Sequence, residues 1–257
     1  MGCGCTGLTR RRLLTGGALA GTGVALGGCD RLGIDFPDLV SDAQVEAMGL
    51  RAWDEITATT PVARNDPRQQ VIDDVARRCV RAAGERPDDW EVRLFDVAQV
   101  NAFALPGRKI GVYAGMFDVA RSDAQLAAVI GHEIGHVQAE HAQERMSAEI
   151  AKTLGLRLIA IVLQLGDVEF AQGIAAALGL GAQYGLILPY GRAQELEADR
   201  LGLRVMAQAG FDPNAAVTLW QRMEDAGGDG PPAFLSTHPA PTARIEAIRE
   251  MIPQIAA

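Results

Sequence analysis

Aromatic residues make up only 5% of the 257 positions, and positive charge is in deficit, with 24 Lys and Arg against 32 Asp and Glu. The footprint of nucleic-acid binding, a basic stripe interleaved with aromatics, is absent, so nucleic acid is not an expected partner. No repeat or low-complexity domain breaks the chain. No apolar run reaches the roughly 20 residues of a membrane span. A content of 48% hydrophobic and 22% charged residues instead predicts one well-buried domain.

Cysteine is also scarce, at four residues. Cys3 and Cys5 precede a segment that reads as targeting information: Arg10-Arg11-Arg12, then a Gly/Ala-rich apolar stretch from Leu13 to Gly28. The arginines resemble a twin-arginine export signal. Leu26-Gly27-Gly28-Cys29 resembles a bacterial lipobox, in which the cysteine becomes the acylated N-terminus. Residues 1–28 are thus expected to be a signal peptide, and lipidated Cys29 to tie the chain to a membrane of the bacterial cell envelope, facing the periplasm. Asp30 resembles an inner-membrane retention signal, although the choice of membrane stays open. The mature chain then keeps only Cys79, which excludes an internal disulfide. The helical spacing of Val71, Ile72, Val75, Cys79 and Val80 predicts a buried structural thiol.

Val45, Met48, Ala52 and Ile56 recur at helical intervals and predict an amphipathic helix ended by Pro61, followed by a second from about Pro67 to Ala83. Trp90, Val92 and Leu94 alternate as in a strand over 90–100, and Ile110–Ala114 predicts another beyond the Pro106-Gly107 turn; together these read as a small antiparallel sheet. Ser122-Asp123 offers N-caps for a long helix with an apolar stripe of Leu126, Val129, Ile130 and Ile134. The segment 154–188 reads as core helices plus a glycine-containing loop, with a substrate-covering lid as its functional alternative. Beyond Pro189 come a charged helix, one opened by Asp212-Pro213-Asn214, a Gly-rich turn at 227–230 and a last helix from about Pro241.

Histidine is scarce but informative: of four, two lie in His132-Glu133-Ile134-Gly135-His136. Histidines four apart on a helix share one face at a separation that a single zinc ion can bridge, and the intervening glutamate can serve as general base. A catalytic zinc also needs a third protein donor, and Glu195-Leu196-Glu197-Ala198-Asp199 is the best downstream candidate. At about 100° per residue Glu195 and Asp199 share a face, whereas Glu197 points about 160° away from Asp199. Glu195 is therefore the expected ligand, with Asp199 accepting the free ring N–H of a ligating histidine. His141, about 140° around the helix from His136, is expected to be structural.

His132–His136, the Glu195–Asp199 motif, and Ser236-Thr237-His238-Pro239 with Arg244 resemble the M48 zinc peptidases, the family of the HtpX, BepA and Oma-type proteases. So does Asn101-Ala102-Phe103-Ala104-Leu105-Pro106-Gly107, and the resemblance spans about Asn101 to Ile248. It implies a mainly helical α+β domain of gluzincin type with a small sheet, Glu195 as third ligand, and Asn101, Ala102 and Phe103 on an edge strand that takes up substrate by strand addition. It further implies that His238 and Arg244 lie near the metal, able to stabilise an oxyanion or occupy the open position. Arg108 departs from the family, which often has a glycine there. The expected organisation is a lipid-anchored linker and first helix over 29–66 and a zinc metallopeptidase domain over 67–257, with one zinc per chain. Protein or peptide substrates are implied, as is envelope quality control; a zinc-stabilised, non-catalytic assembly factor is the alternative.

Overall fold

The structure is a computed structural model, described here over residues 40–165, 188–226, 233–238 and 241–255. The expected signal peptide, Cys29, Asp30, most of the lid segment and the 227–230 turn lie outside the described residues.

Helix α1 (Asp42–Thr59) begins at a capping box between Ser41 and Gln44. Its buried stripe is Val45, Gly49 and Trp53, not the expected Val45, Met48, Ala52 and Ile56; Met48 is 47% exposed. The helix lies so close to the sheet that a Cβ on Gly49 would stand 2.2 Å from the Pro106 carbonyl oxygen. The glycine permits that approach, and Trp53 fills the next turn against Phe95 and Phe103. Helix α2 (Pro67–Ala82) is capped by Asp66, which accepts a hydrogen bond from the Arg68 amide at 2.9 Å. It buries Ile72, Val75, Ala76, Cys79 and Val80. Burial pushes the Cys79 thiol up to about 12, which makes it inert.

A short 3₁₀ turn (Pro87–Asp89) leads into β1 (Glu91–Phe95), β2 (Ala102–Leu105) and β3 (Lys109–Tyr113), arranged in the order β1-β3-β2. β2 and β3 form the antiparallel hairpin, but β1 pairs parallel with β3, so the sheet is mixed rather than antiparallel. The strand expected over 90–100 stops at Phe95, and the chain then reverses twice, into and out of β2. β3 must consequently run in the direction of β1. In the hairpin turn both Gly107 (φ 84°) and Arg108 (φ 58°) are left-handed. A non-glycine residue there costs about 1 kcal/mol; Arg108 is held by donating from Nε to Glu85 at 2.9 Å.

After α3 (Met116–Val119) comes α4 (Asp123–Gln138), capped by Ser122 as expected. From Gln125 to His136 every residue of α4 is buried, enclosed by α2, β2, α6 (Leu188–Gln208) and α7 (Asn214–Asp225). Helix α5 (His141–Leu165) follows α4, and α8 (Ala233–Thr237) and α9 (Pro241–Ile255) complete the described chain. No helix among the described residues is long and apolar enough to cross a membrane.

The approach of α4 to α6 positions the site. A Cβ on Gly202 of α6 would stand 2.8 Å from the His132 amide nitrogen, and one on Gly135 of α4 would stand 2.8 Å from the Ala198 carbonyl oxygen. Small residues thus bring the two helices into backbone contact. Gly202→Ala is expected to wedge them apart, destabilising the fold by about 1–3 kcal/mol and weakening metal binding. Urea unfolding and a metal titration measure the two effects, and an alanine variant matching wild type in both would refute this account.

Candidate metal centre

His132 and His136 leave α4 one turn apart, with their Nε2 atoms 3.0 Å from each other. Glu195, on α6, places Oε2 3.3 Å from His132 Nε2 and Oε1 3.3 Å from His136 Nε2. His238, just past α8, brings Nδ1 to 3.3 Å from His132 Nε2 and 3.0 Å from Glu195 Oε2. One donor atom from each of these four buried residues lies within 4.8 Å of all the others. Ring nitrogens and carboxylate oxygens so close repel through their lone pairs unless a proton or cation lies among them. The carboxyl groups of Glu133, Glu195 and Asp199 are all buried, and Arg244 is the buried guanidinium that faces them. Buried carboxylates of this kind are offset by a charged partner or a coordinated metal, and by donor chemistry the residues fit a divalent metal ion.

The other ring nitrogen of His132 is held from α6: Nδ1 lies 3.0 Å from Asp199 Oδ1. Asp199 in turn accepts from Arg244 Nε at 2.8 Å and Nη2 at 2.6 Å. Arg244 Nη1 reaches Glu195 Oε2 at 3.0 Å, and the guanidinium lies 3.9 Å over the Trp220 ring. The expected pair of Arg244 and His238 therefore does meet the histidine cluster, with the arginine's donors already engaged by carboxylates. Glu133, also buried, has an Oε1 that accepts no hydrogen bond, with His238 Nε2 at 3.5 Å.

His141 falls elsewhere than a continuous helix would carry it. α4 ends at Gln138, Glu140 is left-handed (φ 55°), and α5 starts afresh at His141. The break returns the His141 ring to His136, with Nδ1 to Nδ1 at 2.8 Å, while its Nε2 lies 3.4 Å from Glu197 Oε2. Glu197, set aside by its angle on the helix, thus reaches the cluster through His141. No glycine or proline marks the break at Ala139-Glu140, so the sequence carries no signal for it.

Ala102 and Phe103 lie in β2, with Asn101 just before it. Phe103 is turned onto the sheet, its ring lying across Gly111. Among the described residues no strand pairs with the outer edge of β2. A cleft of about 210 Å³ lies alongside, lined by Val45, Glu46, Ala104, Leu105, Pro106 and His136 among others.

Titration in the cluster is split. Burial disfavours a charged His132, yet the Asp199 and Glu195 carboxylates outweigh it and raise its pKa to about 9. Burial pushes His136 down to about 3. Burial also opposes ionisation of Glu195, but hydrogen bonds from His132, His136 and His238 hold it far below the carboxylate range. A raised folded-state pKa stabilises in full below the ordinary value of 6.5 and ceases to do so as the pH rises through about 9. Chelator-treated protein is expected to lose thermal stability between about pH 6.5 and about pH 10, a trend that a flat melting profile over that window would contradict.

The family description Peptidase family M48 matches residues 65–252. The chain is 37% identical over 190 residues to the mitochondrial metalloendopeptidase OMA1 of Schizosaccharomyces pombe, covering 73% of this chain and 54% of that protein. It is 37% identical over 161 residues to the OMA1 of Arabidopsis thaliana, 63% of this chain and 31% of that one. To the beta-barrel assembly-enhancing protease of Escherichia coli it is 28% identical over 231 residues, 87% of this chain and 47% of that protein. The chain thus spans about half the length, or less, of these curated relatives. With the family match extending from the start of α2 to within α9, the chain belongs to peptidase family M48.

Proposed function

We propose that this chain is a zinc metalloendopeptidase that hydrolyses peptide bonds of misfolded or misassembled envelope proteins, with His132, His136 and Glu195 as metal ligands and Glu133 as general base. The observation that carries the reading is the convergence of those three donors beside a buried Glu133 oxygen without a hydrogen bond. When bound, zinc supplies a Lewis acid that polarises the scissile carbonyl and acidifies water. Glu133 takes the proton from the attacking water and gives it to the leaving amine. Asp199 orients His132, and Arg244 offsets the charge of Asp199 and Glu195. The outer edge of β2, unpaired among the described residues and beside the cleft, is where an extended substrate would add as a strand. Its backbone does the pairing, since the Phe103 ring faces inward.

The N-terminal reading completes the proposal: export with cleavage before Cys29, acylation of that residue, and a domain from about residue 67 held at the membrane on the periplasmic side. Relatives named as beta-barrel assembly-enhancing proteases support the envelope setting. The second reading, a zinc-stabilised assembly factor without catalysis, draws on His238, whose Nδ1 lies among the donors and would close the position water needs. The two separate on one experiment with the purified chain: zinc content and casein cleavage, before and after chelation. One zinc per chain, with cleavage lost on chelation and restored by zinc, supports the peptidase. Zinc without cleavage favours the assembly factor, and no zinc sinks both.

A further inference from the structure

We infer that His141 and Glu197 form a positioning relay for the metal centre: His141 Nδ1 accepts the ring N–H of His136, and His141 Nε2–H donates to Glu197, which fixes His136 with Nε2 free for the metal. This rests on the metal centre proposed above. The tautomers follow from the geometry. A histidine that gives Nε2 to a metal carries its proton on Nδ1, and across the α4–α5 break His136 Nδ1 meets His141 Nδ1 at 2.8 Å. Two N–H groups cannot face each other at that distance, so His141 must be the acceptor and carry its own proton on Nε2. That proton points to Glu197 Oε2 at 3.4 Å.

His141 is built for the task. Its side chain is 0% exposed, and its backbone carbonyl accepts from Gln194 Nε2 at 3.4 Å, with the same amide donating to Glu144 Oε2 at 2.7 Å. The start of α5 is thereby tied to α6, one residue before Glu195. The two histidines of α4 are consequently oriented by different means. His132 leans on an ion pair buried throughout, Asp199 with Arg244, whereas His136 leans on an uncharged ring whose far end meets a carboxylate 58% exposed. Groups that orient a metal-bound histidine in this way are worth about 10–100-fold in metal affinity.

The test is zinc affinity of the full chain, by competition with a colorimetric chelator, in three variants. His141→Phe keeps the ring volume and removes both nitrogens; it is expected to weaken zinc binding about 10–100-fold. His141→Asn sets an amide oxygen near the Nδ1 position, and affinity should return to within about threefold of wild type. Glu197→Ala, at an exposed carboxylate that water can replace, should fall between them. Melting of the chelator-treated variants checks that each is folded. Wild-type affinity in His141→Phe, or equal weakness of the Phe and Asn variants, overturns the relay, the second outcome because it assigns His141 to packing alone. A wild-type chain that binds zinc with the expected order of variants but cleaves no protein leaves the relay standing and sinks only the peptidase reading. A wild-type chain that takes up no zinc sinks both.

Discussion

Glu133→Gln is expected to lower the rate of proteolysis by about 10²–10⁴-fold while zinc content stays at that of the wild type. The substitution changes little in shape and breaks no hydrogen bond at Oε1, which accepts none. It leaves the four converging donors in place, since Glu133 is not among them. What it removes is basicity: a carboxylate can take a proton from water and return it to the departing amine, and an amide can do neither. The effect should therefore appear in kcat rather than in zinc affinity or in the melting temperature. Measured together, casein turnover and metal content decide the matter. Undiminished turnover in a zinc-replete Glu133→Gln protein would assign the base elsewhere.

The largest expected effect on stability is that of Arg244→Leu. The guanidinium is buried, contacts both oxygens of Asp199 and one of Glu195, and covers Trp220. Its charge is kept on against burial because Asp199 and then Glu195 hold its pKa above the ordinary value. Removing it strands two buried carboxylates, at a cost of about 3–5 kcal/mol, a large share of the 5–15 kcal/mol by which a domain of this kind is folded. Arg244→Lys should recover only part, because one ammonium group cannot reproduce a forked contact to two carboxylates. Added zinc should offset the loss in both variants by neutralising Glu195. Urea unfolding with and without zinc reads each step, and a loss below about 1 kcal/mol for the leucine variant would mean that the pairing contributes little.

Helix recognition from the sequence succeeded where periodicity and caps agreed. In the α2 stripe Ile72, Val75, Cys79 and Val80 lie inside while Val71, read as part of it, is 38% exposed, and Ser122 starts α4. It went astray in α1 because apolar counting passes over Gly49, whose missing side chain is what lets the helix touch Pro106. In the sheet, alternation at Trp90, Val92 and Leu94 located a strand but carries no information on its partner's direction. Pairing is a long-range choice, set here by the double reversal through β2. At the centre, the angle between residues on an ideal helix placed Glu195 and Asp199 together on one face and turned Glu197 away. The same reasoning placed His141 wrongly relative to His136, since it assumed a helix that ends at Gln138.

By itself the sequence determined the family, the mainly helical class with a small sheet, and the short list of side chains capable of metal chemistry, because each depends on local spacing along one helix or on a contiguous motif. Only the tertiary structure decided that the sheet is mixed, that Gly135 and Gly202 bring α4 and α6 together, how Arg244 and His238 contact the histidines and carboxylates that the family resemblance already set near them, and that His141 joins from α5. Those are contacts between residues up to about a hundred positions apart, and their geometry follows from how helices pack rather than from any pattern that neighbouring residues can carry.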